Sequence, residues 1–238
     1  MKILNIFYVI VIAMILSACG GGGSGSAEPT ATIATYTGLE AATGDDAGVA
    51  SVVGVGDDAV YTYNFKGTPV DVTLDGISAG TFYTSTEGAI AQHIGGTTYS
   101  YSRFGVIASY NTFSSGDHIT EGEVFYVGQK TSSMPTTGTA TYHGHTTTLS
   151  EGDFLDASVT FDVDYGSRKI SGNVDDGMIF DETNIVGSDF SGTVSFEAEA
   201  AGDYHGSFFG PNAEELGGVG TLGDESGYVG FSFGAQKE

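Results

Sequence analysis

Apolar and polar residues alternate along most of this chain, and that alternation predicts strands. Tyr61, Tyr63 and Phe65 alternate with Val60, Thr62 and Asn64, and Val70, Val72 and Leu74 continue the pattern after Pro69. Further on, Val159, Phe161, Val163 and Tyr165 share one register, while Ser158, Thr160, Asp162 and Asp164 share the other. Phe190, Gly192, Val194 and Phe196 repeat the pattern against Ser191, Thr193, Ser195 and Glu197, and so do Tyr204, Gly206 and Phe208 against Asp203, His205 and Ser207. A period of two residues turns one face of a strand inward and the other to water. Shorter runs at Val106–Tyr110, Val124–Val127, Ala140–Gly144, Ile170–Val174 and Tyr228–Phe233 add strands, and Tyr99, Tyr101 and Arg103 are expected on one strand face. Turns are expected at Gly44-Asp-Asp46, Gly56-Asp-Asp58 and Asp75-Gly76. No long amphipathic helix competes, so the fold class is all-β.

Two details sharpen the C-terminal part. Phe209 falls in the polar register, so its strand is expected to be covered on both faces at its end. Pro211 cannot donate to a ladder, which stops that strand at Gly210. Asn212 to Leu216 is expected to form one helical turn, and Gly217 and Gly218 to permit reversal into a last strand. A strand, a corner and a returning strand can plug the end of a closed antiparallel barrel. The inward positions mix aromatic, β-branched and glycine residues, which suits a narrow barrel filled by its own side chains. Acids in the outward register exclude an outer-membrane barrel, which needs a lipid-facing apolar band.

The N-terminus breaks the alternation. Lys2 precedes an apolar run from Ile3 to Leu16, which ends in Ser-Ala-Cys19. The run has the layout of a secretion signal, and small residues before cysteine resemble the bacterial lipoprotein cleavage box. That resemblance implies a signal over 1–18, cleavage after Ala18 and lipid on Cys19; an ordinary signal with an incidental cysteine is the alternative. Residues 19–34 then form a flexible Gly/Ser-rich tether. A β-rich segment over 35–134 and a barrel over 135–238 follow, divided near Met134-Pro135.

Charge removes several functions. The 238 residues carry 7 basic and 30 acidic side chains, a net charge of −23, which excludes phosphate-backbone binding to nucleic acid and attraction to an anionic membrane surface. The acidity serves solubility, or steering toward a basic partner. Cys19 is the only cysteine, so no disulfide framework supports the fold.

Candidate chemistry is sparse. Tyr99, Tyr101 and Arg103 combine residue types that concentrate binding energy, and the same pattern also serves as a cross-strand aromatic ladder beside an arginine. His143 and His145 form a metal-like pair, but Tyr142 is the inward residue there, both imidazoles point outward, and no third ligand follows at a fixed spacing. Asn173 to Gly177 lacks most calcium-loop positions and is expected to be a turn. The acidic pairs Asp45-Asp46, Asp57-Asp58 and Asp175-Asp176 are expected in solvated loops. No nucleophile elbow and no phosphate loop occurs, so the chain is not expected to be an enzyme.

Phe208-Phe-Gly-Pro-Asn-Ala-Glu-Glu-Leu-Gly-Gly218 resembles a signature of the barrel domain of the transferrin-binding protein B family of surface lipoproteins. Gly138 to Gly144, Ala157 to Tyr165 with Lys169 to Gly172, and Phe190 to Gly192 are similar to its other strands, in order. The resemblance implies a closed barrel of about eight strands after a β-rich handle domain. It implies a ligand-binding lipoprotein on the Gram-negative outer membrane, in iron or haem acquisition, handing its ligand to an outer-membrane receptor. Haem, a haem protein or another solute is the expected ligand, with Tyr99, Tyr101, His93 or His118 as candidate ligands to a haem iron and no resident cofactor. The alternative is a host-protein binder or adhesin without a nutrient role.

Overall fold

The computed structural model describes residues 49–53, 60–74, 81–113, 116–150, 152–197, 200–224 and 227–238, and every regular element among them is a strand. Strands β1 (Val49–Val53), β2 (Val60–Phe65) and β3 (Thr68–Asp71) form a three-stranded antiparallel sheet. The β2–β3 hairpin turns at Lys66-Gly67, both with positive φ, the geometry a two-residue hairpin demands. Strands β4 (Phe82–Glu87), β5 (Ile90–Gly95), β6 (Ser102–Phe113) and β7 (Gly116–Gly128) form a four-stranded meander. Tyr61, Tyr63, Phe65, Val70 and Val72 of the first sheet pack on Ile94, Ile107, Phe125 and Val127 of the second. The Tyr63 hydroxyl donates to Glu123 within this layer, at 2.6 Å.

The last eight strands are β8 (Thr139–Ser150), β9 (Asp153–Asp164), β10 (Lys169–Val174), β11 (Met178–Val186), β12 (Asp189–Phe196), β13 (Ala200–Phe209), β14 (Glu215–Asp224) and β15 (Gly227–Lys237). They pair in sequence order, and β15 returns to β8 with Phe231 opposite Thr148 and Lys237 opposite Tyr142. The result is a closed antiparallel barrel of eight strands, which leaves no free sheet edge.

The barrel interior is nearly all side chain. Phe161, Phe180, Phe190, Phe208, Phe233, Tyr142 and Tyr204 are buried together with aliphatic residues. Room for the rings comes from glycines directly across the ladder. Gly172 faces Phe161, Gly192 faces Tyr204, Gly206 faces Phe190, Gly218 faces Phe233 and Gly220 faces Phe231. A Cβ on Gly172 would lie 2.5 Å from Phe161 Cδ1, and one on Gly206 2.6 Å from Phe190 Cζ, closer than packed carbons approach.

One end of the barrel is closed by the segment after β13. The expected helical turn does not form there. Gly210 and Ala213 both take positive φ, so the backbone reverses within 210–213 and cannot continue as a right-handed helix. Glu214 accepts from the backbone N–H and the side-chain amide of Asn212, both at 2.8 Å, and so holds the reversal. Gly217 and Gly218 lie inside β14 rather than at the bend. Ala213 is buried, and its carbonyl accepts from the Tyr142 hydroxyl, which also bonds the Tyr165 hydroxyl at 2.6 Å. The strand after Pro211 therefore returns as expected, with the plug made by a tight turn. Residues 175–177 form a turn, with Met178 N donating to Asp176 at 3.2 Å. The N-terminal signal, the tether, Cys19 and the expected turns at Asp45-Asp46, Asp57-Asp58 and Asp75-Gly76 lie outside the described residues.

Gly206→Ala is expected to lower the unfolding free energy by about 1–3 kcal/mol, because the new methyl meets both the Phe190 ring and the Gly217 carbonyl. Gly187→Asn, at an open turn position with positive φ, is expected to leave it within about 0.5 kcal/mol. Urea unfolding of both variants measures the difference.

Candidate functional site

The meander is covered on both faces. Phe104, Val106, Val124 and Tyr126 of β6 and β7 point away from the first sheet and pack on Phe209 and Val219 of the barrel wall. Each partner offers a glycine to the other's ring: Phe104 lies where a Cβ on Gly234 would sit, and a Cβ on Gly128 would lie 2.5 Å from Phe209 Cδ1. Phe209 is thus covered by the meander while its neighbour Phe208 fills the barrel, which is the two-faced strand end expected from its register.

Glu215 ties the two parts electrostatically. Its carboxylate is fully buried and accepts from Ser100 N at 2.7 Å, Tyr101 N at 3.1 Å and Ser102 Oγ at 2.8 Å. Burial pushes its pKa above the ordinary glutamate value, while these bonds and the nearby Arg103 charge hold it down. The loop between β5 and β6 is therefore anchored to the barrel through the first residue of β14. Backbone links reinforce the joint: Thr131 N donates to Phe208 O and Gly210 N to Gln129 O.

Tyr99, Tyr101 and Arg103 do not share a strand face. Tyr99 and Tyr101 lie in the loop before β6 and turn toward the barrel, with Tyr101 against Gly210. Burial, then the Glu215 charge, raises the Tyr99 pKa. Arg103, the second residue of β6, turns the other way. It is buried with its guanidinium 5.1 Å over the Tyr61 ring, and it donates to Thr73 O at 3.0 Å and to Tyr99 O and Ser102 O at 2.7 Å. The loop leaves the pleat because Glu215 takes its N–H groups from a ladder, so period-two counting fails there.

His93 is a clamp between β5 and β9. Its Nδ1 is 2.6 Å from Thr84 Oγ1, and its Nε2 is 3.0 Å from both Asp156 oxygens. The ring lies between Phe82 and Phe154, at centroid distances of 4.4 and 4.7 Å and nearly parallel to both. With both nitrogens engaged, His93 offers no lone pair to a haem iron. The side chain of His118 lies outside the described residues.

Beside this clamp a groove of about 660 Å³ opens between the β5–β6 loop and the outer wall of β8 and β9, lined by Tyr99, Phe104, His143, His145, Asp175 and Gln236 among others. Both histidines point out of the barrel, as expected from Tyr142. His143 is half exposed, with Nδ1 3.2 Å from Thr160 Oγ1 and Nε2 3.3 Å from Glu238. His145 meets the edge of Phe82 at 5.9 Å, and burial lowers its pKa against the pull of Asp156 and Asp175. Among the described residues no group of three or more His, Cys, Asp or Glu is arranged to hold a metal ion. The groove is a half-open surface lined by both polar and apolar side chains.

The anchoring roles of Glu215, His93, Asp156 and Phe154 escape the sequence reading, which took His93 only as a candidate haem ligand and Glu215 only as part of the 208–218 signature, because those roles depend on which barrel face the meander covers. The signal within reach was apolar residues in a polar register, as at Phe209, and Leu149 and Phe154 are further instances.

Glu215→Gln turns an amide NH₂ toward donors that now meet carboxylate oxygens, and is expected to cost about 1–3 kcal/mol in urea unfolding. Because the Glu215 pKa is raised, its contribution is greatest at acid pH and is lost as pH rises; the variant lacks that slope. His205, on the outer face of β13 near Tyr126, acts with the opposite sign. Burial lowers its pKa from 6.5 to about 4, against the Asp189 charge, so its contribution is present above pH 6.5 and is lost as pH falls toward 4. His205→Gln is expected to flatten the loss of stability between pH 6.5 and 4, read from urea midpoints across that range.

The family described as the C-lobe and N-lobe β-barrels of transferrin-binding protein B matches residues 120–237, from within β7 to the end of β15. A protein of Haemophilus influenzae is 35% identical over 112 residues, covering 43% of this chain and 39% of its own length. Among solved structures, transferrin-binding protein B of Haemophilus parasuis superposes with a TM-score of 0.60 at 20% identity, over 79% of this chain and 42% of that one. The protein of that name from Neisseria meningitidis gives 0.57 at 18% identity, over 74% and 39%. The chain thus spans about two fifths of these relatives' length. Through the barrel that residues 120–237 complete, this chain belongs to the transferrin-binding protein B-like family.

Proposed function

We propose that this protein is a non-enzymatic lipoprotein of a Gram-negative outer membrane, moored through Cys19, that captures an iron-carrying protein at the junction of handle and barrel and presents it to an outer-membrane receptor. The observation that carries the reading is the groove of about 660 Å³, flanked by an anchored loop and a closed barrel wall. A rigid joint suits capture, since little order has to be imposed when the partner docks. The surplus of 30 acidic over 7 basic residues favours a basic docking surface and an association rate that falls with salt. The solved relatives named for transferrin binding support a carrier protein as the ligand class. Their greater length makes the identity of that carrier part of the proposal.

A second reading has one specific observation in its favour. His143 and His145 line the groove, and a histidine there is placed to ligate the iron of a free haem. An adhesin-like binder of host protein is the third, and differs from the first in having no receptor partner.

Capture by the immobilised protein from a mixture of transferrin, haemoglobin and envelope extract, at low and at 0.5 M salt, tests the first reading; a retained iron-carrier protein, lost on charge reversal at Asp175, supports it. Haem titration tests the second. A Soret shift that disappears in His143→Ala with His145→Ala establishes free haem as ligand, and an unchanged spectrum removes it. Cys19→Ala is expected to move the protein from the membrane fraction to the soluble one.

A further inference from the structure

The two ends of the barrel differ. The end beside the 210–213 turn is sealed by Ala213 and Leu216, both fully buried, beneath the bonded hydroxyls of Tyr142 and Tyr165. At the other end the last layer of inward-facing apolar residues is left in an open cup of about 230 Å³. Its walls are Leu155, Ala157, Met178, Phe196, Leu222 and Val229, with Phe231 below them. All belong to the inward registers of their strands. Leu155 is nevertheless 53% exposed, and Ala157, Phe196 and Leu222 are only partly buried. The inward hydroxyl of Thr148 is spent on Gly230 O at 2.6 Å, so it adds no free donor to the floor.

We propose that this cup binds the alkyl tail of a small amphiphile with a neutral or cationic head. Apolar wall left open to water gains by being covered with hydrocarbon, and barrel mouths are recurrent places for such ligands. Charge at the rim selects the head. Asp176 lines the cup and no Lys or Arg does, in a protein of net charge −23, while the carboxylate of Asp156 is bonded to His93 on the outer face of β9. A carboxylate head meets repulsion from Asp176, whereas an amine or hydroxyl meets an acceptor there. The cup opens on the inward face of β9, and the handle–barrel groove lies against the outer wall of β8 and β9.

Methionine methyl NMR tests this directly. The full chain has four methionines, and Met178 lines the cup while Met134 packs at the barrel core outside it. With [methyl-¹³C]methionine, assigned by Met178→Leu and Met134→Leu, titration with n-octylamine or n-octanol is expected to move the Met178 signal and leave Met134 in place. Affinity is expected to rise roughly fourfold per added methylene from hexyl to octyl, following the transfer free energy of each CH₂. Octanoate at pH 7 is expected to bind several-fold more weakly than octylamine. Ala157→Phe fills the cup and is expected to abolish the Met178 response with an unchanged circular dichroism spectrum; Leu222→Phe serves the same purpose from the opposite wall if that variant misfolds. Met178 staying fixed, or moving together with Met134, overturns the site. Unaltered binding in the filled variant overturns it too, and octanoate binding as tightly as octylamine overturns the assigned head group.

Discussion

Eight strands closed on themselves leave a narrow bore that cannot hold a ring at every inward position. The barrel meets that constraint with pairs in which a ring lies over a glycine on the adjoining strand, at Phe161–Gly172, Phe190–Gly206, Tyr204–Gly192, Phe231–Gly220 and Phe233–Gly218. The ring supplies burial and shields the exposed backbone of the glycine, and the glycine supplies the volume in which the ring lies. The high glycine content follows in part from this pairing. So does the register, because a slip of one residue would turn each ring out of the barrel.

The same device recurs outside the barrel, where it joins the two parts of the molecule. Phe104 of the meander lies over Gly234 of the wall, and Phe209 of the wall lies over Gly128 of the meander. These reciprocal insertions fix the position of the β5–β6 loop, and the buried carboxylate of Glu215 fixes its conformation by accepting from two backbone N–H groups and a hydroxyl. His93, held between Phe82 and Phe154 and bonded to Asp156, secures the far side. The groove with His143 and His145 on its floor is what remains between these two fastenings. Its shape follows from packing and needs no dedicated binding strand.

Where the chain alternates without interruption, the strands were legible. β2, β9, β12 and β13 each present one apolar register, and each buries it. β14 was harder to delimit, because Gly217, Gly218 and Gly220 give no apolar register to count although they lie within a regular ladder. The helical turn expected after Pro211 was a local inference from a capping residue and two acids. It lost to the tertiary demand that Ala213 enter the barrel end under Tyr142. Likewise, Tyr99, Tyr101 and Arg103 looked like a strand face because their spacing is two. The buried carboxylate draws the first two into a loop, and the Tyr61 ring draws the third to the opposite side.

The closed barrel was legible through the resemblance of residues 208–218 to a family signature. The amino-acid sequence by itself determined the all-β class, the inward registers and the presence of a second covered face at Phe209. Each of these depends on burying one side of a pleated strand, and period-two patterning records that requirement residue by residue. Only the tertiary structure decided what covers that second face, which acid becomes the buried anchor and which histidines remain open to a ligand. Such choices depend on distances between strands far apart in the chain: Glu215 acts on a loop more than a hundred residues before it, and Asp156 on His93 across two sheets. Local composition gives a buried glutamate and a solvated one the same letter, and their difference arises when two surfaces close and exclude water from between them.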